Sequence, residues 1–334
     1  MDLEKILIRT SDVVKKSRSL LLLTHKDPDI DAVGSMLALS RALVKINKEV
    51  VNICEKPVSP PLVFLKGSEK IIQKIDKASY FDLVVTLDCS NAARLGKLEC
   101  YLKNGNITIN IDHHETNSFF ADINIVGTDC SSTAELVLKL IKAAEIQIDH
   151  EIAENIFAAI QSDTGCFKYE NTTQSAFYMA AEMMSYGANP WDVTRKIMDN
   201  YSRERLKLLE ISLRNIEFFY KGKVAIITLT SEMFKNSGAL IEECEGFIDL
   251  PRYVSGVEVA VMIRQIGEDK YKFSIRSNRY VDVSQLAGTY GGGGHERAAG
   301  FEHSGKLRNL KEDFLNEMGK FIDGDQNKRH LVGR

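Results

Sequence analysis

His25, Asp27, Asp29 and Asp31 fall within one seven-residue stretch, directly after the apolar run Leu20-Leu21-Leu22-Leu23. That run reads as a buried strand, so the polar cluster sits where a strand leaves the core. Carboxylates massed at such a point repel one another and need a compensating charge, most commonly a divalent cation. Three further positions have the same character: Asp88 ends the apolar segment 83–87, Asp112-His113-His114 ends 107–111, and Asp163 follows the apolar segment 156–160. Imidazole mixed with carboxylate suits manganese, iron, cobalt or zinc better than calcium. The aspartates exceed what one tetrahedral ion takes, which points to two metals, an arrangement that activates water and stabilises displacement at phosphorus.

Each piece alone has a plainer reading. An Asp after a strand commonly forms a turn or caps a helix. On that reading Asp31 caps a helix starting near Ala32, and Asp88 merely opens a loop. A lone His-His pair is more often surface or core polar, and Asp129 with Ser131-Ser132-Thr133 reads as caps for the helix carrying Glu135. Capping does not explain four element ends that carry only Asp and His.

The elements that must position these groups follow from the hydrophobic pattern. Strands are expected at 19–24, 48–54, 82–88 and 107–112, and helices at 31–46, 68–78, 132–145, 149–162 and 173–187. Continuous apolar strands are covered on both faces, and their alternation with helices gives an α/β fold with a doubly wound, mainly parallel sheet. Ligands bind outside the carboxyl ends of such strands, so His25, Asp29, Asp31, Asp88, His113 and His114 should converge on one edge. Apolar residues at 206, 209, 213 and 216 give a helical spacing over 205–219. Segments 223–230, 257–266 and 270–277 then read as strands of a smaller α+β domain. The expected division is a metal-binding domain over 1–190, a helical connector over 191–220, a second domain over 221–324 and a polar tail over 325–334, fraying from Gly324.

The second domain holds another signal, Tyr290-Gly291-Gly292-Gly293-Gly294-His295-Glu296-Arg297. Consecutive glycines let backbone N–H groups surround an anion, and His295 could add a donor; the plainer reading is a flexible loop. The run is neither a Walker A loop nor a dinucleotide fingerprint, since neither the Gly-Lys-Ser/Thr ending nor the strand–turn–helix setting is there. Arg276-Ser277, at the end of its strand, offers a cation and a hydroxyl to phosphate or ribose, although an Arg there could simply face solvent.

Composition bounds the partners. The chain has 334 residues, 44% hydrophobic, with a formal net charge of -3, which argues against long nucleic acid but not against a small phosphorylated substrate. Six cysteines form no CxxC pair and no cysteine has a histidine nearby in sequence, so they read as reduced thiols of a cytoplasmic protein rather than nucleophiles or staples. The charged start reads as an amphipathic helix, not a signal peptide, and no apolar stretch approaches the roughly 18 residues a membrane span needs.

Taken together, His25-x3-Asp29-x-Asp31, Asp88, Asp112-His113-His114 and Asp163, in that order, resemble the DHH phosphoesterase superfamily. Gly291 to His295, with Arg276-Ser277 before and Ala298-Ala299-Gly300-Phe301 after, resembles the DHH-associated C-terminal domain. The resemblance spans roughly residues 5–320, and the layout is most similar to the stand-alone nanoRNase/pAp phosphatase (oligoribonuclease) branch. It implies two divalent metal ions, manganese (Mn2+). His25 and Asp29 would serve one ion and Asp31, His113 and Asp163 the other, with Asp88 shared. His114 would face the scissile phosphate, and Asp112 would orient the histidine pair. Arg276, Ser277, Gly292, Gly293, Gly294 and His295 would grip the neighbouring phosphate or sugar as the second domain closes. Asp27 stands where the family often has Asn; it adds a carboxylate near the site but is not read as a ligand.

The implied activity is hydrolysis of short oligoribonucleotides, about two to five nucleotides long and including pApA, to nucleoside monophosphates, and removal of the 3′ phosphate from pAp. Cyclic di-AMP is a related candidate substrate. An inorganic pyrophosphatase, disfavoured by the glycine run, and a catalytically silent nucleotide sensor, disfavoured by the full ligand set, are the competing readings. A component of a larger repair exonuclease is a third. Members of the family are often homodimers, and the helical patterns over 132–187 could supply such a face.

Overall fold

The structure, a computed structural model, describes residues 3–198 and 201–329. It divides into two compact units, Met1–Asn200 and Tyr201–Arg334.

The first unit is built on five parallel strands, β1 (Ser19–Thr24), β2 (Glu49–Ile53), β3 (Phe81–Leu87), β4 (Gly105–Asp112) and β5 (Ile123–Val126), in the spatial order β2-β1-β3-β4-β5. The helices of this unit are α1 (Leu3–Lys16), α2 (Ile30–Lys45), α3 (Thr133–Ala143), α4 (His150–Asp163), α5 (Gln174–Ser185) and α6 (Pro190–Met198). The four leucines of β1 explain why the strand is apolar throughout. Leu20 and Leu22 pack into a core with α2, α3 and α4, while Leu21 and Leu23 pack on the opposite face with Val84, Leu95, Leu98 and Tyr101. Side chains alternate across a strand, so a sheet covered on both sides needs apolar residues at every position. Strand order reverses between β1 and β3, which makes the gap at their carboxyl ends the switch point where such sheets bind ligands.

The second unit begins with α7 (Arg203–Arg214) and carries a mixed six-stranded sheet. Its strands are β6 (Glu217–Phe219), β7 (Val224–Leu229), β8 (Val259–Gly267), β9 (Lys270–Ser277), β10 (Gly293–His295) and β11 (Ala298–Ser304), in the order β10-β11-β9-β8-β7-β6. Its other helices are α8 (Ser231–Ser237), α9 (Asp249–Arg252), α10 (Val283–Gly288) and α11 (Leu307–Arg329). One core joins Val261, Phe273, Ile275 and Phe301 of the sheet to Leu286 of α10 and Phe314 and Met318 of α11. The segment expected to fray from Gly324 starts inside α11, and residues 330–334 of the expected tail lie outside the described residues. No helix among the described residues is long and apolar enough to cross a membrane.

Two expected helices are corrected. Over 68–78, one 3-10 turn (Ser68–Lys70) gives way to extended chain. Ile72 pairs with Ile53 at the edge of β2, donating its N–H to the Asn52 carbonyl and accepting from the Cys54 N–H. The apolar spacing there serves an edge pairing that periodicity does not distinguish from a short helix. Over 205–219 the helix stops at Arg214, and Glu217–Phe219 form β6 against β7.

Gly34 shows how closely α2 must approach α4. A Cβ built on it would lie 2.9 Å from the Asn155 carbonyl oxygen and 3.2 Å from the Ala159 Cβ. Gly34→Val should therefore destabilise the protein by about 1–3 kcal/mol, read from the denaturant midpoint. An unchanged midpoint would mean that the two helices are not held at this distance.

Candidate metal centre

The polar cluster starts one residue beyond the end of β1. Thr24 donates its hydroxyl to the Leu87 carbonyl, tying the end of β1 to β3, and His25 follows. Asp29 is the N-cap of α2, with its Oδ1 accepting from the Ala32 N–H at 3.0 Å. The capping role therefore falls on Asp29, which leaves Asp31, in the first turn of α2 and 2% exposed, with another purpose. Its carboxylate accepts from the Thr133 N–H (2.7 Å), the Ala134 N–H (3.1 Å) and the Ser35 hydroxyl (3.1 Å). The first turn of α3 thus points its unpaired amides at Asp31, where a helix N-terminus favours negative charge.

Asp88 follows β3 with φ 59°, a left-handed conformation uncommon for a residue with a side chain. Its N–H still donates to the Ile111 carbonyl, so the strand register is kept while the side chain is turned to the strand ends. His25 Nε2 lies 3.4 Å from Asp88 Oδ2. His113 Nε2 lies 3.7 Å from Asp88 Oδ1, 3.6 Å from Asp163 Oδ2 and 4.0 Å from Asp31 Oδ2. His113 Nδ1 faces the Cys130 carbonyl at 3.3 Å, a contact that needs the proton on Nδ1 and leaves the Nε2 lone pair for the carboxylate side. Three sets of donor atoms lie within 4.8 Å of one another: His25, Asp29 and Asp88; Asp31, His113 and Asp163; and Asp88, His113 and His114.

The electrostatics show the crowding. Burial and then the charges of Asp88 and Asp163 push Asp31 well above the usual carboxyl range. Burial, Asp88 and Asp29 push Asp163 up to about 7. Asp29 is open to solvent by surface area, yet desolvation of its carboxyl and the charge of Asp88 both raise it. Asp88 goes the other way: burial raises it, but His25, His113 and His114 outweigh that and hold it below its ordinary value. The 3.4 Å contact of His25 is close enough for that attraction but too poorly aligned for a hydrogen bond, and Nε2 is buried without a partner. A buried imidazole nitrogen lacking a partner, a second with its lone pair turned inward, and three carboxyls raised by burial and then by one another's charge fit divalent cations.

Asp112, fully buried, holds His114 Nδ1 at 2.7 Å through Oδ1 and accepts from Asn117 Nδ2 at 2.6 Å through Oδ2. The Asp112 hydrogen bond, more than any other contact, raises His114 to about 9. Asp27 points elsewhere, to Lys56 at 2.6 Å, and that exposed pairing lowers it. Cys89 and Cys130 have thiols that burial pushes up, which leaves no activated nucleophile there.

Sequence reasoning missed part of the frame. Thr133, read as a cap, donates its hydroxyl to Asp88 Oδ1 at 3.0 Å as well as its N–H to Asp31. Asn171 donates to the Ser131 carbonyl (3.1 Å) and to Asp163 at both its carbonyl (3.1 Å) and Oδ2 (3.3 Å). Thr133 stands at a helix start, where a cap is the local expectation, and neither it nor Asn171 carried a local sign of partners so far away in the chain.

In the second unit, Arg276 lies in β9 between Ala260 of β8 and Ala298 of β11. Ser277 is 3% exposed, with its hydroxyl buried and unpaired. The glycine run does not form a loose loop: Gly293–His295 are an exposed edge strand against β11. Pairing itself demands two of the glycines, since a Cβ would lie 2.3 Å from the Gly300 carbonyl oxygen at Gly292 and 2.4 Å from the Ala298 carbonyl oxygen at Gly294, whereas Gly293 has open space. Glu258, another residue not singled out in sequence, accepts three successive backbone N–H groups of Arg279, Tyr280 and Val281, fixing the turn after β9.

The chain resembles known proteins in sequence and in fold. The DHH family N-terminal domain matches residues 19–160, and the DHHA1 domain matches 225–324. The chain is 32% identical, over 84% of its length and 83% of the relative's, to the bifunctional oligoribonuclease and PAP phosphatase NrnA of Thermus thermophilus. It is 26% identical to the protein of the same name from Bacillus subtilis, over 84% of this chain and 88% of that one. An exopolyphosphatase-related protein from Bacteroides fragilis superposes with a TM-score of 0.89 at 27% identity, covering 95% and 96% of the two chains. The protein is a phosphoesterase, a hydrolase, and at the switch point of its parallel sheet it carries His and Asp groups that could hold metal ions. It belongs to the DHH family.

In metal-free protein the His114 ring should titrate near pH 9, and Asp112→Asn should return it toward the ordinary imidazole value of about 6.5, as followed by NMR of the ring protons. The folded state binds this proton more tightly than the unfolded one. The pair therefore stabilises the fold fully below about pH 6.5 and ceases to do so as pH rises through 9. A wild-type midpoint near 6.5 would show that Asp112 does not hold the ring.

Proposed function

We propose that this chain is a cytoplasmic enzyme that hydrolyses short oligoribonucleotides, pApA among them, to nucleoside monophosphates and removes the 3′ phosphate of pAp, using two Mn2+ ions. The observation that carries the reading is the gathering of His25, Asp29 and Asp88 and of Asp31, His113 and Asp163 into two donor sets at one strand edge. The names of the Thermus and Bacillus relatives support the substrate class.

On this reading His25 and Asp29 would hold one ion, Asp31, His113 and Asp163 would hold the other, and Asp88 would serve both. Bound ions supply a water of lowered pKa and charge neutralisation at the phosphoryl oxygens. The residues around them supply placement. Asp112 keeps the His114 ring protonated and oriented, so that His114 can donate from Nε2 to a phosphoryl oxygen as negative charge grows there. Asn171 and the first turn of α3 hold Asp163 and Asp31 against their mutual repulsion. In the second unit, Arg276, Ser277, His295 and the backbone of Gly292, Gly293 and Gly294 take the terminal phosphate or sugar. The Ser277 hydroxyl is buried and has no partner within the protein, as a group kept for a ligand would be. With a net charge of -3 the chain offers long RNA little additional attraction.

A panel of pAp, pApA, a five-nucleotide RNA, cyclic di-AMP and pyrophosphate, each with Mn2+, tests the substrate class. Turnover is expected on the first three, and turnover on pyrophosphate alone would replace the reading. Asp88→Ala and His113→Ala should each reduce turnover at least about 100-fold, the scale of losing one preorganised stabiliser. Near wild-type rates in either variant would remove that residue from the centre. Arg276→Ala should raise KM for substrates with a terminal phosphate about tenfold or more, the worth of a charged hydrogen bond, with kcat little changed. An unchanged KM would remove Arg276 from the site.

A further inference from the structure

Thr133 is wholly buried at the start of α3 and contacts two carboxylates of different origin, Asp31 of α2 and Asp88 after β3. Its side chain does not cap its own helix. The N-cap position belongs to Ser132, which makes no side-chain capping bond and whose buried hydroxyl is unpaired. The Thr133 hydroxyl goes instead to Asp88 Oδ1, the oxygen that also lies 3.7 Å from His113 Nε2 and from His114 Nδ1. The other oxygen, Oδ2, is left on the side of His25. One hydrogen bond on Oδ1 fixes the rotation of the carboxylate, and with it which oxygen faces each group of imidazoles. The backbone of the same residue fixes Asp31, so the relative placement of the two acids is set by a single rigid turn.

We propose that Thr133 is a positioning residue that fixes the Asp88 carboxylate relative to Asp31 and so couples the two ion sites. This rests on the ligand assignment proposed above. A purely structural threonine could be exchanged for valine, which keeps the branched shape and removes the hydroxyl; a positioning threonine could not. Outer partners of metal ligands typically alter affinity by about 10–100-fold.

The test is an Mn2+ titration of the metal-free full chain, by calorimetry and by electron paramagnetic resonance, for wild type, Thr133→Val, Thr133→Ala and Thr133→Ser. Wild type should bind two Mn2+ ions with the signature of an exchange-coupled pair. The Val and Ala variants should keep the far-UV dichroism and a cooperative melt, bind Mn2+ about 10–100-fold more weakly and lose the coupled signal. Thr133→Ser should restore both. If wild type binds no coupled pair, the ligand assignment fails. If wild type does and the Val variant matches it in affinity and coupling, the role of Thr133 is only structural and the inference falls. Should Thr133→Val not fold, the Ala and Ser variants compare absence and presence of the same hydroxyl.

Discussion

The whole centre depends on keeping the Asp31 carboxylate buried beside Asp88 and Asp163. Two like charges about 4 Å apart repel by about 4 kcal/mol at the effective dielectric of a protein. Hydrogen bonds to a charged group return about 1.5–3 kcal/mol each. Asp31 accepts three, two of them from the amides that open α3, so the bonds and the repulsion are of the same order. Without α3 aimed at it, Asp31 would be forced to take up a proton or turn outward. Burial adds to the repulsion, and together they raise its carboxyl even with that help. A cation would offset both, which is why a sequence with this cluster reads as metal-binding before any fold is drawn.

The same constraint accounts for the odd backbone at Asp88. A left-handed residue with a side chain costs on the order of 1–2 kcal/mol. At the end of β3 that conformation keeps the N–H on Ile111 while swinging the carboxylate among His25, His113 and His114. Those imidazoles lower Asp88 while its neighbours Asp31, Asp29 and Asp163 are raised, so the central carboxylate carries charge where the flanking ones resist it. The strain is tolerated because strand pairing on one side and the Thr133 hydroxyl on the other leave the residue little choice.

Much of this was legible in the sequence. Leu20 to Leu23 announce a strand with both faces covered, and a parallel sheet delivers whatever follows its strands to one edge. That logic reached His25, Asp88 and Asp112-His113-His114 without tertiary information. It failed where local pattern was ambiguous or silent. The isoleucines at 71, 72 and 75 have a spacing that helix and edge pairing share, and the free edge of β2 selected pairing. The four residues of β5 are too short to carry a periodicity. Ser131-Ser132-Thr133 looked like caps because cap preferences are local, whereas the acceptors of the Thr133 bonds lie far away in the chain. Asn171, with partners in two other segments, left no trace in its neighbours.

The glycine run shows a subtler limit, since one motif can answer to two physical demands. Gly292 and Gly294 are required by contact with β11, where any side chain would strike a backbone oxygen. Pairing of the edge strand would therefore select glycine there in a protein that bound nothing. Gly293 faces open space on the side where a Cβ would stand, so the chain's own sterics place no demand on it. On the function proposed above, close approach of a phosphate or sugar to the exposed backbone of β10 is the remaining reason for the missing side chain. On that function Gly293 owes its missing side chain to the ligand alone, while Gly292 and Gly294 also build the hairpin that presents the backbone and His295.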